Sequence, residues 1–91
     1  MEEIILDGER MISRRAAHDH LAAQLALPDY YGRNLDALYD LLTEREGPTR
    51  LLVRHRETIL SWLGEYGEAL LQTLEDADRA NPRLEVLYLK D

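Results

Sequence analysis

The sequence predicts an α/β protein in which a three-stranded, mostly parallel sheet is packed with four helices. Three short β-favouring runs, at residues 4–6, 51–53 and 84–89, are separated by two stretches with helical periodicity. Each stretch holds two helical patterns, which gives the element order β-α-α-β-α-α-β. Strands joined through helices by right-handed crossovers are parallel. At this length we expect a single domain, residues 1–91.

The strands are predicted from apolar runs. Residues 4–6 (Ile-Ile-Leu) form the first run, which the turn-forming pair Asp7-Gly8 ends. Residues 51–53 (Leu-Leu-Val) form the second, and residues 84–89 form the third. Because the first two runs show no polar alternation, we expect both faces of the sheet to be covered.

The first helix is predicted from its cap and its apolar spacing. Ser13 is placed to cap it, and Ala17, Leu21 and Leu25 follow at intervals of four residues. Pro28 ends this pattern, since the residue before a proline avoids the helical conformation.

Asn34 is placed to cap the second helix. At about 100° per residue, four leucines share its inward face. They are Leu35, Leu38, Leu41 and Leu42. The opposite face is polar and carries Asp36, Tyr39, Asp40 and Thr43.

The third helix is predicted over residues 57–63, with Gly64 as its C-terminal stop. We expect it to bury Ile59, Leu60, Trp62 and Leu63. The fourth helix is predicted over residues 67–80 and ends at Asn81-Pro82. Its inward positions are Leu70, Thr73, Leu74 and Ala77.

The charge of the chain favours a basic partner. A formal net charge of −7 disfavours nucleic acid and anionic membrane surfaces as partners. Opposite charge on a protein partner accelerates encounter, although an acidic surface also serves solubility alone. The absence of cysteine, of a long apolar run and of a basic N-terminal signal leads us to expect a cytoplasmic protein.

The acidic face of the second helix is the first candidate site. Asp36 and Asp40 are one turn apart and repel each other. The helix dipole compensates Asp36 in the first turn but gives little help to Asp40. A placement that costs local stability suggests a function for these acids, whereas the alternative is an ordinary solvated helix face.

Two adjacent tyrosines precede this helix. Tyr30 and Tyr31 lie between Pro28 and the cap Asn34, next to Gly32. Tyrosine is a preferred interface residue because it combines a large contact area with a polar tip. We expect one tyrosine to face a partner and the other, Tyr31, to fill the core beneath the loop.

The run LALPDYYGRNLDALYDLLT, residues 25–43, resembles the central loop-and-helix signature of the barstar family of ribonuclease inhibitors. Asp-Gly-Glu after the first strand, Leu-Leu-Gln in the fourth helix and the apolar last strand extend the resemblance over most of the chain. The resemblance implies a barstar-like fold and a protein that blocks the active site of a small basic ribonuclease. It implies no catalytic residue, metal or cofactor, and a monomer when free.

The resemblance also implies roles for individual residues. Asp40 matches the acidic residue that occupies the phosphate site of the enzyme, and Asp36 matches its companion carboxylate. Tyr30 matches the tyrosine that stacks on the catalytic histidine. Gly32 and Asn34 match loop positions that meet the enzyme through backbone and amide groups.

Three positions depart from the family pattern. Tyr39 stands where the family usually has tryptophan, and Asp76 stands where barstar has a longer glutamate. Arg33 adds a positive charge to a surface meant to meet Arg and Lys. Two alternatives are open for it: an i, i+3 ion pair with Asp36, or contact with a partner that differs from barnase.

Other features have weaker functional interpretations. Residues 18–20 (His-Asp-His) resemble metal ligands, but alternate helical residues face different ways, so a polar helix face is favoured. His55 and its arginine neighbours are interpreted as a solvated strand end. Since barstar has a cis proline in the matching loop, we expect a cis Gly47-Pro48 bond.

Two other function classes compete with ribonuclease inhibition. The barstar-like fold can serve as an immunity or adaptor protein for a different basic toxin or partner. A small hydrolase that uses Asp36 and Asp40 as an acid–base pair is the weakest alternative, because the sequence offers it neither a nucleophile nor a metal-ligand set.

Overall fold

The computed structural model describes residues 1–90. They form one parallel sheet and four helices in the predicted order, so the predicted fold is confirmed. A short 3-10 helix, Gly8–Arg10, follows the first strand. No helix among the described residues is long and apolar enough to cross a membrane. The strands and α-helices are β1 (Glu2–Asp7), α1 (Arg14–Leu25), α2 (Leu35–Thr43), β2 (Thr49–Arg54), α3 (Arg56–Leu63), α4 (Glu65–Ala80) and β3 (Leu84–Tyr88).

The helices cover only one face of the sheet. Alternate strand residues such as Leu6 and Val53, which are register partners, are fully buried. On the other face Ile5 is 43% exposed and Leu87 is 40% exposed. The prediction that both faces are covered was therefore wrong. The strand order β1-β2-β3 has no reversal, and right-handed crossovers that step in one direction place their helices on the same face.

Side chains from the flanking helices occupy both edges of the sheet. The backbone N–H of Asp7 on β1 donates to Nε2 of His20 on α1 at 2.9 Å. The N–H of Val86 on β3 donates to the carboxylate of Asp78 on α4 at 2.8 Å. These bonds satisfy groups that would otherwise be open to pairing with another chain. His20 is thus a structural partner of the sheet rather than part of a merely solvated face.

The predicted helix caps are present. The Ser13 hydroxyl accepts a hydrogen bond from the N–H of Ala16 at 3.1 Å. Gly64 ends α3 with a φ of 57°, a conformation that glycine adopts without steric cost. The burial predicted for Trp62 was wrong, because its side chain is 51% exposed. On the helical wheel Trp62 lies about 60° from the buried Ile59, on the side away from the other core-facing residues.

The Gly47-Pro48 bond was wrongly predicted to be cis. The structure contains no cis peptide bond among the described residues. Trans is the general preference even before proline. The Pro48 carbonyl accepts a hydrogen bond from the N–H of Glu2 at 3.0 Å, which fixes this connection against β1.

Gly8 marks a close approach between the 3-10 helix and the start of α3. A Cβ atom on Gly8 would lie 2.4 Å from the His55 carbonyl oxygen and 2.8 Å from Cγ1 of Ile59. Neither neighbour can yield easily, since one is backbone and the other is in the core. Only glycine fits this position without moving α3.

We predict that Gly8→Ala lowers the free energy of unfolding by about 1–3 kcal/mol or more, because the added methyl group overpacks this contact. Gly47→Ala is the matched control, since a Cβ there meets no atom within 4 Å. Urea denaturation of both variants measures the difference. Equal free energies of unfolding for Gly8→Ala and Gly47→Ala would contradict the close approach at Gly8.

Candidate partner-binding surface

The loop between α1 and α2 positions the candidate site. Ala26 ends α1 in the left-handed conformation, with a φ of 52°. The chain then turns at Pro28, whose carbonyl accepts a hydrogen bond from the N–H of Tyr31 at 2.9 Å. Asn34 caps α2 as predicted: its Oδ1 accepts from the N–H of Ala37 at 2.7 Å. The loop is therefore fixed at both ends by local hydrogen bonds.

The two adjacent tyrosines separate into one core and one surface residue. Tyr31 is 4% exposed and packs in the hydrophobic core, as predicted. Tyr30 is 81% exposed. Since Tyr31 is anchored, its neighbour is held in solvent as a free aromatic surface. A ring presented in this way can stack on a partner.

A buried histidine holds Tyr31 in place. His18 on α1 is 2% exposed, and its Nδ1 lies 2.5 Å from the hydroxyl of Tyr31. Its Nε2 lies 2.6 Å from the hydroxyl of Tyr66 on α4. A neutral imidazole has one donor and one acceptor nitrogen, so one tyrosine accepts and the other donates. His18 thus ties α1, the loop and α4 together, and the predicted polar-face role was wrong for this residue.

Burial keeps this cluster in its uncharged form. Desolvation, and after it the charge of Arg33, lower the pKa of His18, and Asp19 opposes them. Burial, followed by the neighbouring Tyr66, raises the pKa of Tyr31 to about 12. The three side chains therefore carry the protons needed for two hydrogen bonds near neutral pH. Both nitrogens of His18 are occupied, which removes it as a metal ligand.

Arg33 pairs with α1 and not with α2. Its Nε donates to Oδ1 of Asp19 at 2.8 Å, and this bond lowers the pKa of Asp19. The predicted alternative of an ion pair with Asp36 was wrong. Arg33 has a φ of 50° and comes just before the cap Asn34, so its side chain leaves towards α1 rather than along the α2 surface.

The α2 surface presents its acids outward. Leu38 and Leu42 are fully buried, and this orientation leaves Asp36 and Asp40 exposed. Tyr39 lies between them and is 36% exposed. Burial of the leucines thus fixes the orientation of α2, and this orientation directs the carboxylates into solvent.

An open groove joins the loop to this acidic face. Tyr30 and Gly32 line one side, and Asp40 and Glu44 line the other. We call it the acidic groove. Glu44 was not among the predicted site residues, although its spacing of four from Asp40 signals that both lie on one helix face.

Asp76 is engaged on its own helix. It lies on α4, which packs against α2. Its carboxylate accepts hydrogen bonds from Arg79 and, at 3.0 Å, from Gln72. Asp76 therefore lies on a helix that packs against α2, and its carboxylate is held by partners on its own helix.

Another group of possible metal ligands lies at the end of β1. Asp7, Glu9 and His55 each bring one ligand atom within 4.8 Å of the others. Asp7 accepts a hydrogen bond from the Glu9 N–H at 2.9 Å, and Nε2 of His55 lies 3.4 Å from Oε1 of Glu9. Turn formation and the His55–Glu9 contact account for the proximity of these three side chains.

The one-sided sheet, its four helices and the loop with its acidic groove define a small α/β protein whose candidate site is a surface. The family model described as Barstar (barnase inhibitor) matches residues 1–89, so the chain belongs to the barstar family. A Bacillus subtilis (strain 168) protein named "Putative ribonuclease inhibitor YrdF" is 40% identical over 78 residues, which cover 85% of this chain and 86% of that protein. These relationships support a ribonuclease-inhibitor role.

We predict that Tyr31→Phe lowers the free energy of unfolding by about 1–3 kcal/mol, because it leaves a buried nitrogen of His18 without its partner. Tyr30→Phe removes the same hydroxyl from an exposed side chain and should change stability by less than about 0.5 kcal/mol. Urea denaturation of the two variants measures both effects. A Tyr31→Phe protein as stable as the control would contradict the anchoring role of His18.

We also predict a histidine-dependent loss of stability in mild acid. Because the folded state lowers the pKa of His18, the unfolded chain binds the proton first, and stability is complete only above about pH 6.5. Burial lowers the pKa of His20 as well, which contributes in the same direction.

Urea denaturation from pH 7 to pH 5 compares the wild type with His18→Gln. The wild type should lose more stability over this interval than the variant, which retains His20 but lacks the His18 ionisation. Parallel curves for the two proteins would contradict the prediction.

Proposed function

We propose that the protein inhibits a small basic ribonuclease by covering its active site with the acidic face of α2 and with Tyr30. The observation that carries this proposal is the exposure of Asp36, Asp40 and Tyr30 beside side chains that are fully buried. A ribonuclease site binds phosphate through cationic side chains, and carboxylates form strong charge-assisted hydrogen bonds with the same groups.

The rigidity of the surface favours tight binding. Asp40 lies on a helix anchored by Leu38 and Leu42, and Tyr30 is adjacent to the anchored Tyr31. A backbone that is already ordered loses little conformational entropy on binding. The inhibitor requires no catalytic group under this proposal, because occupation of the site is sufficient.

Asn34 has a supporting role in this proposal. Its amide oxygen caps α2, and its Nδ2 donates to the carbonyl of Gly32 at 3.2 Å. The side chain is thus already used within the protein. We propose that Asn34 fixes the Gly32 backbone where a partner meets it, and that Tyr39 contributes apolar contact at the edge of the acidic face.

A second candidate function is inhibition of a basic toxin or other partner that differs from barnase, as an immunity protein or adaptor. The position of Arg33 favours it, since this residue brings a guanidinium group, paired with Asp19, into the loop itself. Both candidates share the acidic groove, and the partner identity separates them.

We predict that the protein inhibits barnase stoichiometrically and that Asp40→Ala raises the inhibition constant by at least about 30-fold, as expected for a binding hot spot. Glu57→Ala removes an acid of the same charge from α3, where the side chain is 88% exposed, and should leave the constant unchanged. Titration of barnase with each variant, followed by RNA cleavage, measures both inhibition constants.

Two outcomes of that titration would count against the proposal. An active-site ribonuclease inhibitor is contradicted if folded protein leaves barnase fully active. Equal losses for Asp40→Ala and Glu57→Ala would show that net charge, and not the acidic groove, determines inhibition.

A further inference from the structure

A second concave surface adjoins the loop next to the acidic groove. It is an open cleft of about 800 Å³, large enough to admit a side chain from a partner. We call it the arginine cleft. Its lining residues are Arg14, Arg15, His18, Arg33, Asn34 and Tyr66. Three arginines are thus gathered in one cleft of a chain whose net charge is −7.

Two of these arginines occupy positions that cost local stability. Arg14 and Arg15 are the first two residues of α1, and the first turn of that helix contains no acid. Cations are unfavourable at the positive end of a helix dipole. A nearby anion supplied from outside the chain would reverse this cost.

The charges within the cleft are only partly balanced. Asp19 accepts from Arg33 at 2.8 Å and lies 3.9 Å from Arg15. Arg14 instead stacks over the ring of Tyr66, with its guanidinium carbon 4.2 Å from the ring centroid. One carboxylate therefore pairs with two guanidinium groups, while the third rests on an aromatic face, and the side chain of Arg15 is 89% exposed.

The arginine cleft is continuous with the proposed binding surface. Gly32 lines the acidic groove, and the next two residues, Arg33 and Asn34, line the cleft. Asn34 of the cleft hydrogen-bonds to Gly32 and Ala37 of the groove, so a partner that covers Tyr30 and the acidic groove lies next to the arginines. A partner with cations alone at this point would be repelled, and like-charge contacts of this kind discriminate between partners.

We infer that the target ribonuclease carries an aspartate or glutamate that enters the arginine cleft while its cationic phosphate site receives Asp40. Guanidinium groups bind carboxylates through paired hydrogen bonds. The inhibitor surface thus has an acidic part and a basic part. Among ribonucleases that share a basic active site, the cleft favours those with a carboxylate at the matching position. This inference rests on the proposed function.

The test uses barnase as the probe. Single residues on the rim of its active site are changed to glutamate, and each enzyme is titrated with this protein. At least one of these barnase variants should bind this protein about 10-fold or more tightly than unmodified barnase does, because its new glutamate reaches the arginine cleft. The increase should disappear with Arg14→Gln/Arg15→Gln, which keeps the Arg33–Asp19 pair intact.

Arg83→Gln is the matched control. It removes one arginine charge, where the double variant removes two, from an exposed side chain beyond the C-terminal end of α4; this helix runs about 21 Å from Tyr66 at the cleft to Ala80. The affinity gain should persist in this variant. A gain that is lost equally in Arg83→Gln would reflect general attraction and would overturn the assignment to the cleft.

The outcomes separate this inference from the proposed function. If barnase is inhibited in an Asp40-dependent way but no rim glutamate increases affinity, the arginine cleft assignment alone is overturned. If barnase is not inhibited, both proposals fail. A fluorescent single-stranded RNA that binds the wild type but not Arg14→Gln/Arg15→Gln would show that the cleft takes phosphate and would overturn the carboxylate assignment.

Discussion

The hydrogen bonds of His18 with Tyr31 and Tyr66 determine where the loop lies relative to the helices. They connect α1, the loop and α4 through a ring that is 2% exposed. Because Tyr31 is anchored from below, Tyr30 is held in solvent, and Gly32 follows at the edge of the acidic groove. A buried polar network of this kind stabilises one conformation only when every member has its partner. The position of the candidate surface therefore depends on core packing.

The one-sided sheet provides the support for this arrangement. All four helices lie on one face because the strand order has no reversal, and they are packed closely enough for α1 and α4 to share the His18 ring. The leucines of α2 point into the same core, so its acids point outward. Burial of Leu38 and exposure of Asp40 are two consequences of one helix orientation. The acidic groove and the arginine cleft then flank a single loop.

Local signals predicted most of the fold and the exposed members of the candidate site. Ser13 and Asn34 cap their helices because capping depends on the next three residues. The roles of His18 and Arg33 were missed because both depend on distant contacts. The sequence offers no signal that His18 meets Tyr66, 48 residues away, or that Arg33 meets Asp19, 14 residues away. The open sheet face likewise follows from the direction of both crossovers, which periodicity within a strand does not contain.

Occupation of the active site is the central claim, and competition with substrate tests it most directly. A fluorescent mononucleotide bound in the phosphate site of barnase reports on that site alone. Addition of the protein should displace the nucleotide in a one-to-one ratio, because both require the same cationic groups. A ternary complex in which the nucleotide stays bound, with inhibition nonetheless complete, would contradict the account.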